Sequence, residues 1–328
     1  MRRMNPLRAA SFAAFGTAPR RVEAGWLRPP EGLVLDRVVG VATDSVGRVL
    51  VAHRGERPLL AFAADGAFLG ELGAAHMRKS VVYDLRGPLP VALPERHWLH
   101  GLHVDAHDRI WITDVGRHLV MQFDSAGALL AAFGEDGVPG EDGGHFNQPT
   151  HVATVPGGGF YVTDGYGNSR VARFDEGGSF VAAWGRRGTG PGEFHTPHVI
   201  VTDGVGGVLV TDRENDRVQR FAPDGRWLGE WVGLHSPDGL CRARDGGFYA
   251  TCGIDNAVVR LDAEGNVRGV WRDDESWRYP HAIAETADGA LLVACTGDRW
   301  RVTGARPEER EMLPRAGAEG SAVVRITL

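Results

Sequence analysis

The chain is 328 residues long, 43% hydrophobic and 24% charged, with a formal net charge of −6. That charge and the lack of a basic run give nucleic-acid binding no electrostatic support, and no apolar stretch reaches membrane-spanning length. Three cysteines (Cys241, Cys252 and Cys295) form an odd set with no disulfide framework, and a cytoplasmic setting is expected.

The N-terminal Met1–Arg8 segment precedes a short Ala/Phe run ending near Gly16. Its apolar core is short and broken by Ser11, a poor secretory signal, and export through a twin-arginine signal is the lesser alternative. Residues 1–18 are expected to form a tail and residues 19–328 a single domain. Lysine occurs once, at Lys79, against many arginines, a composition that suggests a GC-rich bacterial genome.

From Val39 onward six units can be written under one another. They run Val39–Gly73, Leu99–Gly134, Pro149–Gly185, Pro197–Val232, Pro237–Asp273 and Pro280 to the C-terminus. Each reads as apolar strand, tight turn, apolar strand, polar loop, apolar strand, tight turn and fourth strand. Glycine and Asp-Gly supply the positive φ of the turns, as at Asp44–Gly47, Ala64–Gly66 and Pro223–Gly225. Alternating β-branched and aromatic residues, as in Val208–Thr211 and Arg217–Phe221, mark the strands. Four strands in about 36 residues point to an all-β, six-bladed β-propeller.

The last unit ends on Ser321–Leu328, which matches the third strand of the fifth unit, and no fourth strand follows. Arg20–Trp26 is unplaced and is predicted to close the ring there, covering an exposed edge. The long insertions, Ala74–Trp98, Glu135–Gln148, Arg186–Thr196 and Thr296–Gly320, all emerge on one face, where binding function is usually built.

Three histidines share one register in alternate units: His100, His198 and His281. Alternate blades of a six-fold ring lie about 120° apart, so three imidazoles would enter the axial channel as a three-histidine metal site with an open face. After the second strands of the first, third and fourth units come Arg54, Tyr166 and Arg213. Guanidiniums bind carboxylates with two donors, and a tyrosine between arginines and a metal can act as a base. Asp114, Asp164 and Asp212 are read as bonding amides of the turns that follow them. His145, His151, His195 and His235 fall outside the axial register and are read as surface or loop residues. Strand alternation turns His103 into the sheet packing. Cys252 and Cys295 read as small buried apolar residues.

At these residues the chain resembles the peptidyl-α-hydroxyglycine α-amidating lyases and their bacterial relatives with NHL-type repeats. The matching segments are Ala52–Gly55, Leu99–Leu102, Trp111–Val115, His145–Thr150, Asp164–Arg170, Gly192–His198, Asp212–Asn215 and Tyr279–His281, spread over all six units. The resemblance implies zinc held by His100, His198 and His281, a catalytic Tyr166, and two active-site arginines, Arg54 and Arg213. It also implies cleavage of a carbinolamide C–N bond to an amide and glyoxylate. Iron, cobalt or manganese would also suit imidazole ligands.

The family's structural calcium is implied to sit on carbonyls matching Val41 and Leu102 and on an aspartate. That aspartate's position here is Ala282, so the calcium site lacks its carboxylate. The animal disulfide is absent, with Gly167 in one of its places, and Tyr279 replaces a methionine of the pocket wall. The expected substrate is a small or peptidic carbinolamide and the expected state a monomer, with no nucleic-acid or membrane partner. A metal-dependent hydratase or hydrolase, and a non-catalytic interaction propeller, are the alternatives.

Overall fold

The computed structural model describes residues 21–84, 89–155, 158–273, 276–297 and 321–328. The expected tail and most of the Thr296–Gly320 insertion lie outside them. Six four-stranded antiparallel sheets surround one axis, and the first five carry their strands in sequence order from the axis outward. Blade one comprises Gly40–Thr43, Val49–Ala52, Leu59–Phe62 and Phe68–Glu71. The first strands of the next five begin at Leu99, His151, Pro197, Pro237 and Pro280. Each of these first strands packs against those of its two neighbours, which closes the circle.

The predicted closure is observed. Arg21–Glu23 pairs antiparallel with Ser321–Thr327, placing Arg21 opposite Thr327 and Val22 opposite Ile326. Blade six thus joins segments from opposite ends of the chain.

The apolar core lies between blades rather than within them. One cluster joins Leu50 and Leu59 of blade one to Leu99 and Ile112 of blade two. Another joins Val49 and Phe62 of blade one to Leu292 and Ala294 of blade six. Comparable clusters fill the remaining four junctions. Second and third strands are accordingly buried on both faces, while fourth strands such as Phe180–Trp184 are largely exposed.

Four first strands carry a β-bulge at the position nearest the axis: between Leu99 and Leu102, Pro197 and Ile200, Pro237 and Gly239, and Pro280 and Ala282. A bulge re-aims a side chain and leaves an amide without its ladder partner. In three blades a second-strand threonine takes that amide: Gly101 N–H donates to Thr113 Oγ1, Val199 N–H to Thr211 Oγ1 and Gly239 N–H to Thr251 Oγ1.

A protein that starts at Leu27 loses the closing strand and bares the edge of Ser321–Thr327. Its Tm should fall by roughly 5 °C, with concentration-dependent association through that edge. An unchanged Tm and a monodisperse species in sedimentation would show that the strand does not hold the ring.

Candidate metal centre and active site

The bulges place His100, His198, Asp238 and His281 around the axis, and Val39 and Thr150 precede the unbulged first strands of blades one and three. The three histidines are buried and pack edge to face, with ring centroids 4.6 to 5.0 Å apart. Each imidazole reaches the main chain of the next blade. Nδ1 lies 2.7 Å from Thr150 O for His100, 2.6 Å from Asp238 O for His198, and 2.8 Å from Val39 O for His281. A carbonyl can only accept, so Nδ1 carries the proton and Nε2 presents a lone pair.

Burial, together with neighbouring positive charge, pushes the His100 and His198 pKa values well below the ordinary one. His281 is pushed down to about 3. All three are neutral at pH 7, the state that binds metal. One ligand atom from each lies within 4.8 Å of the others, so this buried cluster could hold a metal ion.

Tyr166 closes the upper side. Its hydroxyl oxygen is 2.8 Å from His100 Nε2 and 3.0 Å from His198 Nε2. A phenol owns one proton, which it can give to only one of two lone pairs. The second nitrogen then faces oxygen lone pairs, and a cation between them removes that conflict. The donor set therefore fits a divalent ion. Gly165 permits the approach, since a Cβ there would stand 1.9 Å from Pro197 O.

Two buried arginines flank the phenol. Arg213 Nη1 is 3.3 Å from the Tyr166 hydroxyl and 3.4 Å from Asp238 Oδ1, while Nε and Nη2 donate to Glu214 at 3.2 and 3.1 Å. Burial works against its charge, but Tyr166, Glu214 and Asp238 outweigh it and hold its pKa well above the usual value. Arg54 donates Nε to Leu99 O at 3.2 Å and lies 4.8 Å above the ring of Trp98. Burial lowers its pKa to about 10, which leaves it charged at neutral pH. Arg213 is thus set between two carboxylates, and Arg54 contacts a carbonyl and an indole face.

All six residues singled out from the sequence gather at one site. Other expectations need correction. His151 is no loop residue: it opens the first strand of blade three, with Nδ1 3.1 Å from Ile200 O. It borders a cavity of about 40 Å³ directly below the histidines, shared with Leu102, Val41 and Ala282 and lined by no carboxylate. Below this the channel widens to about 280 Å³, where His103 joins His151 with ring centroids 6.4 Å apart. His103 packs between blades two and three as expected, its Nε2 2.9 Å from Thr154 Oγ1, and also lines the channel. His235 is also buried and pairs with Asp255 at 3.0 Å.

Asp114 does bond the Gly116 and Arg117 amides of its own turn. Asp164 and Asp212 instead accept from Asn147 N–H and His195 N–H on the incoming crossovers, and each takes an arginine, Arg170 or Arg217. Sequence reasoning missed Asp238. Pro237-Asp238 stands in the register of Pro197-His198 and Pro280-His281, and that alignment was the available signal.

The comparisons with known proteins agree with this geometry. An NHL repeat profile matches residues 146–174. A probable peptidyl-α-hydroxyglycine α-amidating lyase of Caenorhabditis elegans is 34% identical over 286 residues, covering 79% of this chain and 80% of that protein. The chain belongs to the peptidyl-α-hydroxyglycine α-amidating lyase family. The peptidylglycine α-amidating monooxygenase of Rattus norvegicus is 28% identical over 325 residues, covering 90% of this chain. The chain spans about a third of that protein's length, 33%. Among solved structures, a streptogramin B lyase shares the fold with a TM-score of 0.60 at 13% identity, covering 94% of this chain and 97% of that one.

Burial pushes the pKa of His103 down to about 4 and that of His151 to about 3. A histidine depressed in the fold keeps its full contribution to stability above about pH 6.5 and loses it as the pH falls toward the folded value. His151→Gln should therefore flatten the acid side of the stability profile between pH 6 and 4. Denaturant titrations across that range check it, and parallel profiles for the two proteins would refute it.

Proposed function

We propose that this protein is a zinc-dependent lyase that cleaves the C–N bond of an α-hydroxyglycine-type carbinolamide, releasing an amide and glyoxylate. The observation that carries this reading is the Tyr166 hydroxyl, 2.8 Å from His100 Nε2, 3.0 Å from His198 Nε2 and 3.3 Å from Arg213 Nη1. A proton acceptor, a metal-binding cluster and a cation meet at one point. Relatives named as lyases of this type support the reaction class.

His100, His198 and His281 would hold the ion, which when bound supplies Lewis acidity at the substrate's α-hydroxyl. Tyr166 takes the hydroxyl proton, and the Arg213 guanidinium stabilises the negative charge on the phenolate oxygen that a base requires. As the O–H bond breaks, its electrons form the aldehyde carbonyl, the C–N bond breaks, and the amide nitrogen leaves with a proton. Tyr166 can return that proton, which leaves the side chain unchanged over a cycle. Arg54 binds the substrate carboxylate. Its planar guanidinium, charged at neutral pH and close to Tyr166 and the histidines, can engage a carboxylate through two donors.

Two predictions follow from this division of roles. His198→Ala should bind less than about a tenth of the one zinc per chain expected of the wild type, because two imidazoles seldom retain zinc. Atomic absorption on the purified proteins measures this, and full occupancy would exclude His198 as a ligand. Tyr166→Phe should keep its zinc and its fold yet release glyoxylate from α-hydroxyhippurate at least about 100-fold more slowly. Near-normal turnover in that variant removes Tyr166 as the base. Release of no glyoxylate by the zinc-loaded wild type removes the lyase reading itself.

A further inference from the structure

Asp238 serves the site twice. Its carbonyl accepts from His198 Nδ1, as those of Val39 and Thr150 do for the other two histidines. Those two residues carry an isopropyl group and a hydroxyl, so tethering an imidazole requires no carboxylate. Yet a carboxylate stands at the third position, with its side chain fully buried. Burying a carboxylate is costly unless charge and hydrogen bonds compensate it, so its partners indicate its task.

Three of those partners are Gly253, Tyr279 and Arg213. Oδ2 accepts from Gly253 N–H at 3.0 Å, and Oδ1 lies 3.5 Å from the Tyr279 hydroxyl and 3.4 Å from Arg213 Nη1. The same Nη1 is 3.3 Å from the Tyr166 hydroxyl. Glu214 draws the other edge of the guanidinium, Nε and Nη2, the opposite way. Tyr279 is held in place at a conformational cost: its φ is 52°, a left-handed value for a bulky residue, and Pro280 follows it. Asn256 Oδ1 accepts from its amide and its carbonyl accepts from Thr296 N–H. Gly253 leaves room for the ring, since a Cβ there would come within 2.4 Å of it.

We infer that Asp238 is a positioning residue: seated by Gly253 and Tyr279, its carboxylate holds the Arg213 guanidinium against the Tyr166 hydroxyl. Without it, Nη1 has no anion on that side, and the guanidinium turns toward Glu214. The kinetic test of this inference rests on the lyase reading, and the crystallographic test does not.

The experiment is a double-mutant cycle on zinc-loaded protein with Asp238→Asn, Arg213→Gln and the double variant, assayed by glyoxylate release from α-hydroxyhippurate. Asp238→Asn keeps shape and the Gly253 contact but removes the charge. It should retain wild-type zinc content and lose about 10- to 100-fold in kcat, with KM within about threefold. The double variant should be no slower than Arg213→Gln alone, because Asp238 acts through Arg213. Multiplicative losses, a change confined to KM, or loss of zinc would each overturn the inference. Should Asp238→Asn fail to fold, Tyr279→Phe replaces it in the cycle, with a loss of about two- to fivefold that vanishes in the Arg213→Gln background. In a crystal structure of Asp238→Asn (or of Tyr279→Phe in its place), Arg213 Nη1 should lie beyond hydrogen-bond reach of Tyr166, and an unmoved Arg213 refutes the inference. If the wild type releases no glyoxylate, the lyase reading falls, and this structure still decides the role of Asp238.

Discussion

No blade of this protein buries its own faces. Each main apolar cluster is shared by two neighbouring blades, as Leu50 and Leu59 are with Leu99 and Ile112, so a sheet becomes stable only when both neighbours are in place. That condition closes the ring and sets six first strands side by side around one axis. Bulges in four of those strands turn His100, His198, Asp238 and His281 inward.

The geometry of the histidine cluster is a by-product of that closure. Each imidazole is tied through Nδ1 to the main chain of the next blade, so the direction of its Nε2 lone pair depends on how two blades dock. The charges above it are arranged unequally. Arg213 lies between Glu214 and Asp238, which fixes it as a permanent part of the wall. Arg54 donates to the Leu99 carbonyl and lies over the indole face of Trp98.

The fold was legible because its signal repeats. Turn glycines and strand alternation recur six times, and the absent fourth strand of the last unit marked the N-terminal segment as its partner. The three histidines were legible for the same reason, since a common register in alternate repeats translates directly into a common point in space. His151 and Asp238 were harder because each occurs once. His151 follows the axial position of blade three by one residue, and only the channel's descent below the cluster brings its ring onto the axis. Asp238 occupies the axial position itself, but a lone acid among histidines carries no pattern. Asp164 and Asp212 were assigned to the wrong amides because the crossovers they bond approach from the preceding blade, a tertiary relation that local spacing does not contain.

Ring closure also dictates when the site can exist during synthesis of the chain. Blade six takes its outer strand, Arg21–Glu23, from a part of the chain that is synthesised long before that strand's neighbour, Ser321–Thr327. His281 lies on the innermost strand of that same blade. A nascent chain that already carries His100 and His198 therefore lacks the third imidazole and its carbonyl tether on Val39, which only the docking of blade six against blade one supplies. Sheet closure and completion of the three-nitrogen cluster are one late event, reached through contacts of very high sequence separation.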